Sequence, residues 1–143
     1  MAEKTYSGKC FCGAVELSVS GDPVAMGFCH CTSCRTWAAA PVHAFIMWKT
    51  PTVRVTRGET NLGEFHKSPQ SLRKFCRTCG GHVMTAHPSW DMIDVFAQVL
   101  SDFPFAPTVH VHYGEKTLAI RDGLPKFRDV PKSMGGSGET LPE

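Results

Sequence analysis

Seven cysteines occur in this chain as three tight clusters, and nothing else in it constrains the fold as strongly. Cys10 and Cys12 form a C-x-C. Cys29, Cys31 and Cys34 form C-H-C-x-x-C, and Cys76 and Cys79 form a C-x-x-C followed by Gly80-Gly81. In a reducing compartment, thiols spaced this closely usually hold metal, and zinc is the preferred ion. An odd count also resists a simple disulfide framework, so pairing of these thiols is the less favoured reading. Four thiolates complete a tetrahedral shell, whereas three leave one position for a water or a substrate atom. The arithmetic points to two zinc ions per chain, one closed and structural, the other open and reactive.

Spacing suggests how the thiols divide. On a strand, residues i and i+2 project to the same side, so Cys10 and Cys12 can grip one ion together. The Cys76-x-x-Cys79-Gly80 run is a zinc-knuckle spacing, in which the chain turns back and the glycine relieves crowding. Together they make a four-thiolate site that ties the first strand to a hairpin more than sixty residues on. A cross-link of that span removes freedom from the unfolded chain, which suits a structural role. Cys29, Cys31 and Cys34 can cap one face of a second ion. Its fourth position then falls to a remote side chain, a water or a ligand.

His30 projects away from Cys29 and Cys31 if the segment is extended, which points to a supporting or substrate-binding place. His82, beside the knuckle, is the candidate that would seal the open site and make it inert. A rival partition, in which Cys10 and Cys12 share an ion with two of the central three, stays open but strands the knuckle. Arg35, directly after Cys34, either offsets the negative charge and clamps a substrate carboxylate, or is a plain surface side chain. Phe28 and Trp37 either wall a pocket or pack in the core.

At 143 residues, with 42% hydrophobic and 20% charged, the chain supports one globular domain over 1–130. The small net charge of +2 is interspersed rather than gathered into the basic stripe of a nucleic-acid binder. No stretch approaches the ~20 apolar residues of a membrane span. Met-Ala-Glu-Lys-Thr-Tyr at the start carries no apolar secretory signal, so the expected location is cytoplasmic. Residues Pro131–Glu143, with Gly135-Gly136-Ser137-Gly138, read as a flexible tail.

The segments between the clusters read as short strands. In Ala14–Ser20, Val15, Leu17 and Val19 alternate with Glu16, Ser18 and Ser20. Val42–Trp48, Thr52–Thr56, Leu72–Phe75, His82–Thr85, Met92–Leu100 and Thr108–Tyr113 are further runs rich in Val, Ile and Phe, separated by turn residues. Only Thr32–Ala40 reads as a short helix, cut off at Pro41. The fold class is therefore all-β with antiparallel pairing. His110 and His112 are expected to share one strand face, where such a pair can bind metal but is favoured as merely solvated or hydrogen-bonded, and Asp91 and Asp94 are expected to lie at the surface. Lys4, Lys9, Arg54, Arg57, Arg73, Lys74 and Arg77 either form a positive rim for an anionic tripeptide or are simply solvated.

Three ordered motifs carry a family likeness. They are Gly8-Lys9-Cys10-Phe11-Cys12-Gly13-Ala14-Val15, Cys29-His30-Cys31-Thr32-Ser33-Cys34-Arg35 and Phe75-Cys76-Arg77-Thr78-Cys79-Gly80. The chain resembles the glutathione-dependent formaldehyde-activating enzyme family, which also includes centromere protein V. The likeness runs from about Tyr6 to Asp122-Gly123-Leu124-Pro125-Lys126-Phe127. It implies the Mss4-like fold of antiparallel sheets organised around zinc. It assigns Cys10, Cys12, Cys76 and Cys79 to the structural ion, and Cys29, Cys31 and Cys34 to the catalytic one.

The implied activity is that of a carbon–sulfur lyase joining formaldehyde reversibly to a small thiol, glutathione first. Such a reaction needs a base, for which His30 is the first candidate. Two other classes stand beside the enzyme. One is a non-catalytic zinc module that binds protein or microtubules, for which the chain lacks an extended basic or proline-rich arm. The other, by analogy of fold alone, is a chaperone-like module.

Overall fold

The computed structural model describes residues 3–143. Ten strands and one helix follow in chain order: β1 (Thr5–Lys9), β2 (Glu16–Ser20), β3 (Ala25–Cys29), α1 (Thr32–Ala38), β4 (His43–Lys49), β5 (Val53–Arg57), β6 (Leu62–Ser68), β7 (Ser71–Cys76), β8 (His82–His87), β9 (Met92–Phe96) and β10 (His110–Val111). The expected mostly-β architecture is the one the chain forms. The chain divides into two compact units. One comprises Met1–Ala25 and Ile46–Phe105, the other Met26–Phe45 and Ala106–Glu143.

In the first unit β2 pairs antiparallel with both β1 and β5. The alternation of this stretch does what its period dictates: Val15, Leu17 and Val19 are all sealed from solvent, and the polar residues between them are not. A meander of β6, β7, β8 and β9 follows, each strand antiparallel to the next. A bulge between Lys74 and Phe75 brings Phe75 opposite His82 just before the knuckle. Trp48, Ile46, Val83, Met84, Val95 and Leu100 form the core, and the Phe103 ring meets both Trp48 and Tyr6 edge-on at 5.4 and 4.9 Å.

Asp94 corrects the expectation of a surface carboxylate. It lies buried in β9 and accepts the amide N–H of Ile46 at 3.2 Å. The run Ile93-Asp94-Val95 is buried on both faces, so period-two alternation gives no warning there.

In the second unit β3 and β10 pair in parallel, with His110 opposite Phe28 and Val111 opposite Cys29. This is the departure from purely antiparallel pairing. It also shortens the strand expected at 108–113, because His112 turns into the left-handed region at φ 53°. The two histidines therefore do not share a strand face. Helix α1 ends at Ala38, and Ala39 takes the left-handed cap at φ 52° ahead of Pro41.

Pro131–Glu143, expected as a flexible tail, is hydrogen-bonded to the rest of its unit. The Leu141 amide donates to the Lys126 carbonyl at 2.7 Å, and the Glu143 carboxylate accepts from the amides of Asp122 and Gly123. Low apolar content marks a segment that cannot make its own core, but this one is held by polar contacts instead.

Candidate metal centres and a buried histidine chain

The first unit gathers four thiols. Cys10 and Cys12 sit where the chain leaves β1, Cys76 ends β7, and Cys79 closes the knuckle before β8. All four Sγ atoms lie within 4.8 Å of one another, with Cys10–Cys12 and Cys12–Cys76 both at 3.8 Å. Thiolates at the ~2.3 Å of a zinc–sulfur bond stand ~3.8 Å apart at the corners of a tetrahedron. The spacing fits zinc without rearrangement.

Donors surround the sulfurs as well. The amide of Val15 points at Cys10 at 3.3 Å, that of Gly81 at Cys79 at 3.4 Å, and the Asn61 side-chain amide at Cys76 at 3.3 Å. Hydrogen bonds of this kind favour the charged thiolate. Cys79 is drawn down to about 6 by the Gly81 amide and then by the Cys12 backbone.

The second unit gathers Cys29, Cys31 and Cys34 in the same manner, again within 4.8 Å. The local reason is α1. Cys31 is its N-cap, and its sulfur accepts the Cys34 amide at 3.3 Å, which turns Cys34 back onto the same side. Crowding splits the thiols. Cys29 is pushed far up by hydrogen bonding with Cys31, then with Cys34, and by burial. Cys31 is drawn down to about 2 by hydrogen bonding with Cys29 and then with Cys34. A divalent cation held there would let all three ionise.

His82 belongs to the first unit and not to this set. It meets Phe96 edge-on at 6.2 Å and lines a cavity of about 380 Å³ with Lys9, Cys10, Phe11 and Gln98.

His30 is fully out of solvent. Its Nε2 lies 2.8 Å from His110 Nδ1, and His110 Nε2 lies 2.7 Å from Asp122 Oδ2. Asp122 Oδ1 accepts from Lys126 Nζ at 2.5 Å and from the Leu124 amide at 3.0 Å. Lys126 Nζ also donates to the Leu124 carbonyl at 2.8 Å and to Glu143 at 3.0 Å. Tyr113, fully buried, packs edge-on against His30 at 4.9 Å.

Burial acts to raise the Asp122 carboxyl, but hydrogen bonds from Lys126 and His110 outweigh it and hold the group well below the carboxylate range. His30 is lowered to about 4 by desolvation and then by His110, so it is neutral near pH 7. The His30 Nδ1 atom is buried without a hydrogen-bond partner.

Arg35 is occupied in bracing this loop. Its Nε donates to the His30 carbonyl at 2.8 Å, and one terminal nitrogen reaches Thr32 Oγ1 and the Glu115 carbonyl at 3.1 and 3.0 Å. Sequence reasoning gave His110 no functional role in its favoured reading and assigned none to Asp122 or Lys126. The available signal was a histidine inside an apolar run and an acid–lysine pair four residues apart, each too common to stand out alone.

Comparison with known proteins agrees with this geometry. The chain is 33% identical over 75 residues to an uncharacterized lyase of Schizosaccharomyces pombe. That match takes in 52% of this chain and 53% of the relative, so the chain spans about half the length of the curated protein it matches. A crystal structure of a Rhodobacter sphaeroides protein superimposes with a TM-score of 0.58 at 26% identity, covering 68% of this chain and 90% of that one. A family model for the glutathione-dependent formaldehyde-activating enzyme matches residues 5–115, and the chain belongs to that family.

Proposed function

We propose that this chain is a zinc-dependent carbon–sulfur lyase acting on a small thiol adduct, with S-hydroxymethylglutathione the leading substrate. The observation that carries the reading is the unequal gathering of the thiols, four in one unit and three in the other. Zinc at Cys29, Cys31 and Cys34 would supply Lewis acidity and favour the thiolate form of a small thiol. Zinc at Cys10, Cys12, Cys76 and Cys79 would be structural.

Breaking such an adduct requires loss of the hydroxyl proton, formation of the aldehyde C=O and departure of the sulfur as thiolate. In this reading His30 holds the hydroxyl proton, because its Nδ1 is unpartnered and the ring is neutral near pH 7. The atom is closed to solvent. Arg35 keeps the loop in register through the His30 and Glu115 carbonyls and brings positive charge near the thiolates.

The test is adduct exchange. Zinc-loaded protein with formaldehyde and glutathione is followed by exchange NMR, and a rate above the uncatalysed one is expected. A rate equal to it removes glutathione–formaldehyde chemistry.

One observation favours the other class, a protein-binding zinc module. Phe11, between Cys10 and Cys12, is 93% exposed at the mouth of the cavity beside the four-cysteine set. Capture of a partner that Phe11→Ser abolishes, in protein that shows no exchange, would decide for that reading.

A further inference from the structure

The chain His30–His110–Asp122 has a direction that hydrogen-bond chemistry dictates. Asp122 Oδ1 already receives two donors, the Lys126 ammonium and the Leu124 amide, so the carboxylate is ionised and Oδ2 is an acceptor. His110 must therefore carry a proton on Nε2. One proton lies between His110 Nδ1 and His30 Nε2, and two arrangements are open.

If His110 is neutral, its Nδ1 is the acceptor, His30 donates from Nε2, and His30 Nδ1 is a bare lone pair. If His110 is the cation, His30 must carry its proton on Nδ1. That atom is a buried donor with nothing to receive it. Stranded buried N–H groups are rarer in proteins than under-used acceptors, and this arrangement also places an imidazolium in the core. The neutral chain is favoured.

We propose that His110 and Asp122 are positioning residues that lock His30 in the tautomer whose Nδ1 carries no proton, presenting that nitrogen as acceptor for the hydroxyl hydrogen of a thiol adduct. The proposal deepens the lyase reading and rests on it. A buried acceptor left unpaired is destabilising, and such exceptions call for an explanation.

Two substitutions test the lock from opposite sides. In Asp122→Asn, Lys126 and Leu124 hold the amide oxygen at the Oδ1 position, so the NH₂ faces His110 and donates to it. His110 then carries its proton on Nδ1, and His30 is driven to the Nδ1–H form. In His110→Gln, the amide spans a distance similar to that between the two ring nitrogens. Its NH₂ faces Asp122 and its oxygen faces His30, so the polarity of the chain is preserved.

Long-range ¹H–¹⁵N NMR of zinc-loaded, uniformly labelled protein reads the tautomers without substrate. Wild type and His110→Gln are expected to show His30 Nδ1 bare, and Asp122→Asn to show it protonated. In the exchange assay kcat of Asp122→Asn should fall about 10²-fold with KM little changed, whereas His110→Gln should keep most of the wild-type kcat. A protonated Nδ1 in wild type overturns the proposal, as does an unchanged tautomer or an unchanged kcat in folded Asp122→Asn. If Asp122→Asn does not fold, wild type and His110→Gln still decide, because either one with Nδ1 protonated overturns the lock. Absence of exchange by wild type overturns the lyase reading alone, since tautomer inversion would still support the lock.

Discussion

Nε2 of His30 and Nδ1 of His110, eighty residues apart in the chain, lie 2.8 Å from each other with both rings out of solvent contact. The contact ties the loop bearing Cys29 and Cys31 to β10, and through Asp122 to the last segment of the chain. The loop is held by long-range packing as well as by its own turns.

The β3–β10 pairing beneath that contact is tight enough to test. A Cβ on Gly27 would stand 2.2 Å from the Val109 carbonyl oxygen, an approach that backbone cannot yield to cheaply. Gly27→Ala is expected to push β10 away and cost about 1–3 kcal/mol of stability. Urea denaturation checks it, and an unchanged midpoint would show that the strands are not held this closely.

Metal content separates the two thiol groups. Wild type is expected to bind about two zinc ions and Cys31→Ser about one, with the fold retained, by elemental analysis and circular dichroism. An unfolded Cys31→Ser protein would make the three-cysteine cluster structural.

Asn61 supports the other group, donating to Cys76 Sγ at 3.3 Å and to Thr78 Oγ1 at 3.0 Å. Asn61→Ala should weaken the more tightly held zinc by about tenfold in chelator competition, since outer partners of a ligand orient it and stabilise its charge. The weaker ion should be unaffected.

Stability against pH follows from Asp122 and Lys126. The Asp122 carboxyl is held below its unfolded value, so its contribution is complete above the normal carboxylate range and is lost as pH falls through the lowered value. Burial would lower Lys126, but its bonds to Asp122 and Glu143 raise it instead. Its contribution is therefore complete below the normal lysine range and lost as pH rises through the raised value. Lys126→Met should cost roughly 2–4 kcal/mol near neutrality, by leaving Asp122 without its cation, and should flatten both limbs of a Tm–pH profile. Unaltered limbs would mean that the pair does not govern them.

The grouping of the thiols was readable from spacing because it is decided locally. A C-x-C leaving a strand, a C-x-x-C turn and a thiol capping α1 all bring sulfurs together within a few residues, and backbone geometry alone sets their reach. The alternation around Leu17 placed β2 for the same reason. Strands β1, β3 and β6 were not anticipated, since Thr5–Lys9 and Ala25–Cys29 carry glycine and sulfur-bearing residues in place of a β-branched run.

What only the tertiary structure decided is where the histidines and carboxylates go. His110 read as a solvated or hydrogen-bonded strand residue with no partner named, Asp94 as a surface acid, and Glu143 as the end of a flexible tail. Each is placed by partners far away in sequence, whose contribution depends on burial and on the low dielectric that comes with it. Local spacing carries no information about such partners. Close packing creates them, and with them the polarity of the chain that ends at His30.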